Sequence, residues 1–236
     1  MSIDPNNPYT GMQRDVYHSG ASQWSLEARD HVVGSFDAHN NHPGYEHLFT
    51  DFDTKNMLAL DFGCGPGRNL VKYHDRFTRL DGADISDVNL TNAGKWCEHN
   101  GVSVPTLYTV NGISLDTVPS NAYDIVFSTI TMQHIAVWEI RFAILEDMFR
   151  VLKPNGWASI QMGFGPAKQD VVDYEVNNYA AGTTNGNMDV RITDPIQVEN
   201  DLITIGFQNF SYVIDVVGPG NNHSNWIYFR AQKCTV

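Results

Sequence analysis

The sequence predicts an α/β fold in which a seven-stranded mixed sheet, mostly parallel with an antiparallel last strand, lies between two layers of helices. From Met57 onward, short apolar runs typical of strands alternate with longer segments of helical periodicity. Such alternation builds βαβ units, whose strands are parallel and whose sheet is covered on both faces. The last two predicted strands follow each other without a helix between them. The final strand is therefore expected to run antiparallel, at or near an edge of the sheet.

The predicted elements follow in chain order. Residues 1–10, which contain Asp-Pro and Asn-Pro pairs, are expected to form a loose arm, and residues 22–50 a helical cap. The predicted strands are 57–62, 79–84, 104–110, 123–129, 157–163, 210–217 and 225–231. Helices are predicted from near Arg68, from Ser86 to about Asn100, over 137–152 and over 195–205. No linker divides the chain, so residues 1–236 are expected to form a single domain.

The segment 164–193 follows the fifth predicted strand and is far longer than the ~2–6 residues of an ordinary βα loop. Long loops at the ligand edge of a parallel sheet often carry binding residues. We therefore expect a lid or a substrate wall here, with Tyr174, Asn178 and Tyr179 as candidate substrate contacts. A plain surface excursion is the alternative.

Composition and charge restrict the functional classes. The 236 residues are 42% hydrophobic and 18% charged, as in ordinary globular proteins, which excludes a disordered chain. No apolar stretch is long enough to cross a bilayer, and the first residues do not resemble a secretory signal. The net charge of −12, without a basic cluster, disfavours nucleic acid and anionic membranes as partners and leaves a small-molecule acceptor.

The cysteines and histidines give no metal pattern. The three cysteines are widely spaced without a CxxC pair, and the nine histidines show no HExxH spacing. We therefore expect a reducing, cytoplasmic environment, no disulfide framework and no metal site.

The most informative segment is the glycine-rich turn Leu60–Gly67 (LDFGCGPG), between the first predicted strand and a helix. Its glycines permit positive φ and let a ligand approach the backbone closely. In open α/β sheets, ligands bind beyond the carboxyl ends of the strands, where the strand order reverses. The GxGxG spacing differs from the GxGxxG that is typical of dinucleotide sites. The turn thus favours a ligand that is not held by a pyrophosphate.

A second acid strengthens this interpretation. Asp84 ends the second predicted strand, 23 residues after Asp61. A carboxylate at this position can accept hydrogen bonds from both hydroxyls of a ribose. The alternative is that Asp84 only caps the following helix, together with Ser86.

The segments LDFGCGPGRN, GADIS, YDIVFSTITMQHI, FRVLKPNGW and the two closing strands resemble the class I S-adenosylmethionine-dependent methyltransferases in order and spacing. The resemblance spans about residues 57–232 and is specific for the superfamily, not for a substrate. It implies a Rossmann-like methyltransferase fold, with S-adenosylmethionine as cofactor and S-adenosylhomocysteine as its product. The reaction it implies is in-line methyl transfer to an oxygen or nitrogen of a small polar molecule.

The resemblance also implies roles for individual residues. It assigns cofactor contacts to Asp61, Gly63, Cys64, Gly65 and Gly67 around the methionine part, Asp84 on the ribose, Ile85 on the adenine, Ser128 and Thr129 beneath the sulfonium, and Gln133 close by. By the same resemblance, Tyr17 and Trp24 would close over the cofactor as candidate substrate contacts; ordinary core packing is the alternative.

The chain departs from the family pattern in two places. Relatives carry Gly-Asp-Ala after the third strand, whereas this chain has Asn111, Gly112 and Ile113. The amide oxygen of Asn111 and the N–H of Ile113 would then have to hold the adenine. Asn155 replaces a glycine of the usual Lys-Pro-Gly-Gly turn, and asparagine tolerates the positive φ expected there.

Methyl transfer from a sulfonium depends mainly on alignment, and a base is needed only if the acceptor carries a proton. The leading candidate base is His134, because it follows the fourth strand at the carboxyl edge of the sheet. A structural histidine is the alternative. Further candidates are His18, His31, His223 and Asp173.

Two other functional classes stay open. A non-catalytic cofactor-binding or regulatory module on the same fold is kept open by the missing acid at Gly112. A nicotinamide-dependent oxidoreductase is disfavoured by the glycine spacing.

Overall fold

The computed structural model describes residues 3–4, 7–28, 43–167, 171–181, 189–217 and 222–234. The strands are β1 Leu58–Phe62, β2 Arg79–Asp84, β3 Leu107–Thr109, β4 Tyr123–Ser128, β5 Leu152–Ala167, β6 Val171–Asp173, β7 Asp189–Ile192, β8 Gln208–Val216 and β9 His223–Gln232. The helices are α1 Pro8–Gly20, α2 Arg68–Lys72, α3 Asp87–His99, α4 Trp138–Val151 and α5 Pro195–Ile205. Short 3₁₀ turns cover Pro43–Leu48, Thr54–Asn56 and Thr131–His134.

The strand order explains where a ligand can enter the sheet. Strands β3, β2, β1, β4 and β5 lie side by side in this order, and all are parallel. The chain moves outward from β1 to β3 and then returns to β4 on the other side of β1. The carboxyl ends of β1 and β4 therefore separate at a point where the strand order reverses, and such points open a crevice.

The closing strands confirm the predicted mixed sheet. Strand β9 runs antiparallel to β5, and β8 runs antiparallel to β9. Residues 218–221, which connect these two strands, lie outside the described residues.

Side chains of consecutive strand residues point to opposite faces and fill two apolar cores. Leu60 and Val126 join one core, which also contains the inner faces of α4 and α5. Ile125 and Phe127 join the other core, which contains buried residues of α2, α3 and the Pro43–Leu48 turn. Because both faces are covered, the central strands are apolar at nearly every position, which made them recognisable in the sequence.

Local signals determine where two helices begin and end. The Ser86 hydroxyl accepts from the N–H of Asn89 at 3.2 Å and starts α3. Asp194 forms a capping box with Gln197 at the start of α5, and Gly206, with φ 114°, ends that helix. Helices α3 and α5 therefore lie where the sequence predicts them.

The sheet has nine described strands instead of seven. Strand β5 continues to Ala167, and β7 pairs with its extension at Gly163 and Phe164. Strand β6 then pairs with β7. The described parts of the segment 164–193 thus add sheet where a loop was predicted, and residues 168–170 and 182–188 lie outside the described residues. Strands of three and four residues give little periodic signal, and the pairing on β5 fixes them.

The structure differs from the N-terminal predictions in part of the described residues. Residues 8–10 belong to α1, since the Asn7 side chain accepts from the N–H of Thr10 and Pro8 is the first helical residue. The predicted cap over 22–50 consists of turns at 21–28 and the Pro43–Leu48 turn, and 29–42 lie outside the described residues.

Candidate active site

The loop after β1 adopts a conformation that requires glycine at defined positions. Gly63 has φ 75°, and a Cβ there would lie 2.1 Å from Oγ1 of Thr131. The N–H groups of Gly63 and Cys64 both donate to the carbonyl of Ala83, at 2.7 and 3.1 Å. Gly65 has φ 50°, and no atom lies within 4 Å of a Cβ built on it. The loop is therefore fixed to β2 on one side and open at Gly65.

Asp84 connects this loop to the second strand. Its Oδ2 accepts from the N–H of Gly65 at 2.9 Å, and its Oδ1 accepts from the N–H of Ser86 at 2.9 Å. Burial raises the pKa of Asp84, although the two backbone N–H groups oppose this shift. Asp84 thus does more than cap α3, because it also holds the glycine loop.

Asp61 is buried immediately before the loop. Neither of its carboxylate oxygens has a regular hydrogen bond to a described residue, and the side chain has no solvent exposure. Burial raises the pKa of Asp61 to about 7, while the nearby Asn69 amide and Arg68 guanidinium partly oppose the shift. A buried carboxyl with so few partners indicates that a ligand completes its surroundings.

A crevice of about 700 Å³ opens at the carboxyl ends of β1, β2 and β4. Part of its wall is the glycine loop with Asp84. Helix α1 presents one face to the opposite side, with residues at helical spacing: Tyr9, Gln13, Val16, Tyr17 and Gly20. This stripe is visible in the sequence, but the predicted arm over residues 1–10 covered only its start, and residues 11–20 were assigned to no element.

Three contacts hold α1 along the crevice. The Tyr9 hydroxyl accepts from the N–H of Ala136 at 2.6 Å. Asn92 donates to the carbonyl of Ala21 at 2.9 Å, and Nε2 of His18 lies 2.7 Å from Oδ1 of Asp87. Burial raises the pKa of Tyr9 to about 12, so its hydroxyl stays protonated at neutral pH.

Seven of the predicted cofactor residues line the crevice: Gly63, Cys64, Gly65, Asp84, Ile85, Gly112 and Thr129. Thr129 also accepts a hydrogen bond from Asn69 at 3.0 Å.

Four predicted cofactor residues lie behind the crevice wall. Asp61 is buried before the loop, and Gly67 packs so closely on Ala93 that a Cβ would lie 2.9 Å away. The Ser128 hydroxyl donates to the carbonyl of Phe62 at 2.9 Å, which turns it away from the crevice floor. Gln133 accepts from Nε2 of Gln161 at 3.4 Å.

The adenine contacts predicted after β3 are not available in this structure. The Asn111 side-chain oxygen accepts from the N–H groups of Ile113 and Ser114, at 2.8 and 2.9 Å. The two groups expected to hold the adenine therefore hydrogen-bond to each other within one turn. Gly112, with φ 86°, is the residue of this turn that faces the crevice.

The predicted substrate residues also fall into two groups, those that line the crevice and those that do not. Tyr17 and Trp24 line the crevice, with ring centroids 6.2 Å apart. Tyr174 is buried elsewhere and donates to Asp201 at 2.9 Å. The Asn178 N–H donates to the carbonyl of Ala136 at 3.0 Å, and the Tyr179 hydroxyl donates to Glu139 at 3.0 Å. These three do not line the crevice, because the segment around them packs against the start of α4, and their role as substrate contacts stays a prediction.

Of the candidate bases, only His134 lines this crevice among the residues that the structure describes. His18 pairs with Asp87, and Asp173 pairs with Arg191 at 2.6 Å. His223 is buried behind the crevice wall, and His31 lies outside the described residues.

Two residues near the crevice were not predicted from the sequence. Asp189 lies 2.7 Å from Nδ1 of His134. Ile130 lines the crevice with φ 66°, an unusual conformation for a β-branched residue, and its N–H donates to Gln161 at 2.7 Å. Strained backbone of this kind is concentrated at functional sites.

Two kinds of feature were not found in the described ranges. No helix there has the length and apolarity to span a bilayer. No cluster of three or more His, Cys, Asp or Glu side chains within them is arranged to hold a metal ion.

Comparisons with known proteins agree with this geometry. Residues 59–156 match the family model described as a methyltransferase domain. The chain is 29% identical over 153 residues to a sterol 24-C-methyltransferase of Gibberella zeae, covering 63% of this chain and 38% of that protein. It is 28% identical over 155 residues to a probable methyltransferase of Aspergillus luteorubrus, covering 60% of this chain and 53% of that protein.

A solved structure extends the likeness to nearly the whole chain. Phosphoethanolamine N-methyltransferase 2 of Haemonchus contortus, in complex with phosphomonomethylethanolamine and S-adenosylhomocysteine, superimposes with a TM-score of 0.68 at 16% identity. The alignment covers 94% of this chain and 60% of that one. The chain thus spans between about two fifths and three fifths of these relatives' lengths. Residues 59–156 thus match a methyltransferase domain, and the chain shares its fold with solved methyltransferases.

Proposed function

We propose that the protein transfers a methyl group from S-adenosylmethionine to an oxygen or nitrogen of a small polar molecule by in-line displacement. One observation carries the proposal. The open glycine loop after β1 and the Asp84 carboxylate at the end of β2 are joined by a 2.9 Å hydrogen bond, where the strand order reverses. The crevice beside them, of about 700 Å³, is within the usual size range of small-molecule sites.

The residues present fit the cofactor. Each Asp84 oxygen accepts one backbone N–H, and carboxylate oxygens have further lone pairs for ribose hydroxyls. The space at Gly65 admits a ligand against the backbone. A cationic ligand beside the loop would lower the electrostatic cost of ionising Asp61. Ile85 and Gly112 line the same crevice and offer an apolar surface to the adenine.

The cofactor, when bound, supplies an electrophilic methyl group on a sulfonium. The task of the chain is then alignment: the loop and Asp84 fix one reactant, and α1 with the segment after β4 shapes the space for the other. Holding two reactants in line removes much of the entropic barrier. Tyr17 and Trp24 on the α1 side exclude water and provide aromatic surface.

Charge and cysteine chemistry support a small acceptor in a reducing compartment. The net charge of −12 opposes binding of nucleic acid or an anionic membrane. Cys64, Cys97 and Cys234 are all free thiols, which suits the cytoplasm.

Isothermal titration with S-adenosylmethionine and S-adenosylhomocysteine tests the site. We expect the wild type to bind both and Gly65→Val to bind neither, because the valine side chain fills the open space at the loop. The matched control is Gly101→Val: Gly101 has φ 69° and no atom within 4 Å of a Cβ, but it follows α3, away from the crevice. Both variants carry a similar backbone strain of about 1–2 kcal/mol. Wild-type affinity in Gly65→Val, or no heat from the wild type with either compound, would contradict the proposal.

A non-catalytic cofactor-binding or regulatory module is the second candidate. It is favoured by the Asn111–Ile113 turn, which hydrogen-bonds within itself and offers no acid to the adenine. Formation of S-adenosylhomocysteine in the presence of a hydroxyl or amine acceptor would support the enzyme. Tight binding without turnover on either acceptor class would support the module.

A further inference from the structure

The β4 side of the crevice carries a histidine–carboxylate pair. His134 lines the crevice, and its Nδ1 lies 2.7 Å from Oδ1 of Asp189 on β7. The N–H is not well aligned with the carboxylate, as is common for catalytic hydrogen bonds before a substrate binds. The other ring nitrogen, Nε2, makes no hydrogen bond to the described residues and is on a partly exposed ring.

Three groups besides the backbone surround Asp189. Asn222 donates to its Oδ2 at 2.6 Å, and Nε2 of His223 lies 3.5 Å from the same oxygen. Burial alone would raise the pKa of Asp189, but the contacts with His134, His223 and Asn222 lower it well below its usual range. Asp189 is therefore ionised near neutral pH and attracts a proton to the facing nitrogen of His134.

His223 holds its place by packing. Its ring lies over Gly163 of β5, where a Cβ would be 2.3 Å from the imidazole. The carboxylate of Asp189 is thus enclosed between His134 on the crevice side and His223 on the sheet side. This arrangement limits the positions that Asp189 can take and keeps it directed at Nδ1.

We propose that Asp189 is a positioning residue that keeps the Nδ1 of His134 protonated, so that the bare Nε2 serves as general base toward a hydroxyl acceptor. The proposal rests on the proposed function. In the step, the acceptor oxygen loses its proton to Nε2 and bonds to the methyl carbon as the carbon–sulfur bond breaks. The electron pair of that bond remains on sulfur. The products are a methyl ether, a thioether and an imidazolium beside the Asp189 carboxylate.

The chemistry of the crevice favours a hydroxyl over an amine or an anion. A neutral amine already has a lone pair, whereas a hydroxyl must lose its proton for the methylated oxygen to be stable. Apart from His134, the charged side chains that line the described crevice are Asp84 and Arg68, both at the glycine-loop end. No described lysine or arginine at the β4 side could pair with a phosphate or carboxylate. The expected acceptor is a neutral molecule that carries a phenolic or alcoholic hydroxyl.

The first test needs neither cofactor nor acceptor. Ring-nitrogen chemical shifts of ¹⁵N-histidine-labelled protein report the tautomer of His134, assigned by comparison with His134→Gln. We expect the Nδ1–H form in the wild type and loss of that preference in Asp189→Asn. Asp173→Asn is the matched control, since Asp173 is exposed, pairs with Arg191 and does not contact His134. An Nε2–H tautomer in the wild type, or an unchanged tautomer in Asp189→Asn, overturns the proposal.

The second test measures turnover with S-adenosylmethionine and four probes: phenol, benzyl alcohol, benzylamine and phosphoethanolamine. We expect methylation of a hydroxyl probe, with kcat lowered about 10²–10⁴-fold in His134→Gln and lowered similarly or less in Asp189→Asn. The KM for the acceptor and the affinity for S-adenosylhomocysteine should change little, and Asp189→Glu should restore part of kcat. His134→Gln is the independent variant if Asp189→Asn does not fold.

The outcomes separate the two proposals. An undiminished kcat in His134→Gln, or methylation of amines alone, overturns the proposal that His134 is the general base. A wild type that binds S-adenosylhomocysteine but methylates neither hydroxyl probe also overturns it. Failure to bind S-adenosylhomocysteine overturns the proposed function instead.

Discussion

Replacement of Asp61 by asparagine should stabilise the protein while weakening its ligand site. The carboxyl is buried without a regular hydrogen bond, and burial raises its pKa from 3.8 to about 7. Asparagine has the size of the protonated acid but never ionises. The variant therefore avoids the cost of holding a charge in this position.

The magnitude follows from the two pKa values. Because the folded pKa is raised, the ionised carboxylate destabilises the native state, and this cost grows as the pH rises from 3.8 toward 7. The linkage between protonation and folding gives a destabilisation of the wild type by at most about 2 kcal/mol at pH 5 and about 4 kcal/mol at pH 8. The stability advantage of Asp61→Asn should thus increase by about 2 kcal/mol between these pH values.

Urea unfolding at pH 5 and pH 8 measures this difference directly. Other titrating groups are the same in both proteins, so their contributions cancel. The exposed Asp75 provides the control Asp75→Asn, for which we expect less than about 0.5 kcal/mol at either pH. We also expect weaker binding of S-adenosylhomocysteine to Asp61→Asn by calorimetry. A stability difference that is independent of pH, or a variant less stable than the wild type at pH 8, would refute the reasoning.

Two further predictions concern a residue of the crevice wall and a buried residue that supports it. Gly63→Ala should lower the free energy of unfolding by about 2 kcal/mol or more, because the new Cβ at positive φ would lie 2.1 Å from Thr131. Thermal unfolding measures this effect, and an unchanged midpoint temperature would contradict the prediction. Arg141→Lys should lower the free energy of unfolding by about 1–3 kcal/mol. The buried guanidinium donates to the carbonyls of both Ile135 and Tyr174, and an ammonium group cannot make this forked pair of hydrogen bonds. Chemical denaturation measures the second effect, and equal stability of the two proteins would show that the fork is dispensable.

The parts of the fold that local chemistry determines were predictable. Helix α5 lies at its predicted boundaries because Asp194, Pro195 and Gly206 mark them within the chain itself. Strands β6 and β7 were missed because pairing on the extension of β5 creates them, and three or four residues carry too weak a pattern.

The candidate site shows the same division. The glycine loop and Asp84 belong to one strand–turn–helix motif and its neighbour, so the sequence places them together at the crevice. Asp189 is 55 residues from His134, and only the topology of the sheet brings the two together. Ser128 lies outside the crevice for a simpler reason: its hydroxyl donates to the Phe62 carbonyl, and a pattern of residue types does not report which way a side chain turns.

Strand β5 has an unusual double role. Its residues Trp157–Ile160 pair with β4 on one side, and its extension at Gly163 and Phe164 pairs with β7, while the antiparallel β9 pairs with β5 from Trp157 to Ala167. An engineer who exchanged the segment between Phe164 and Ile192 would replace Asp189 and its surroundings while leaving the register of β1 to β4 unchanged. The extension of β5 is thus a position at which the same central sheet can carry different substrate-binding segments.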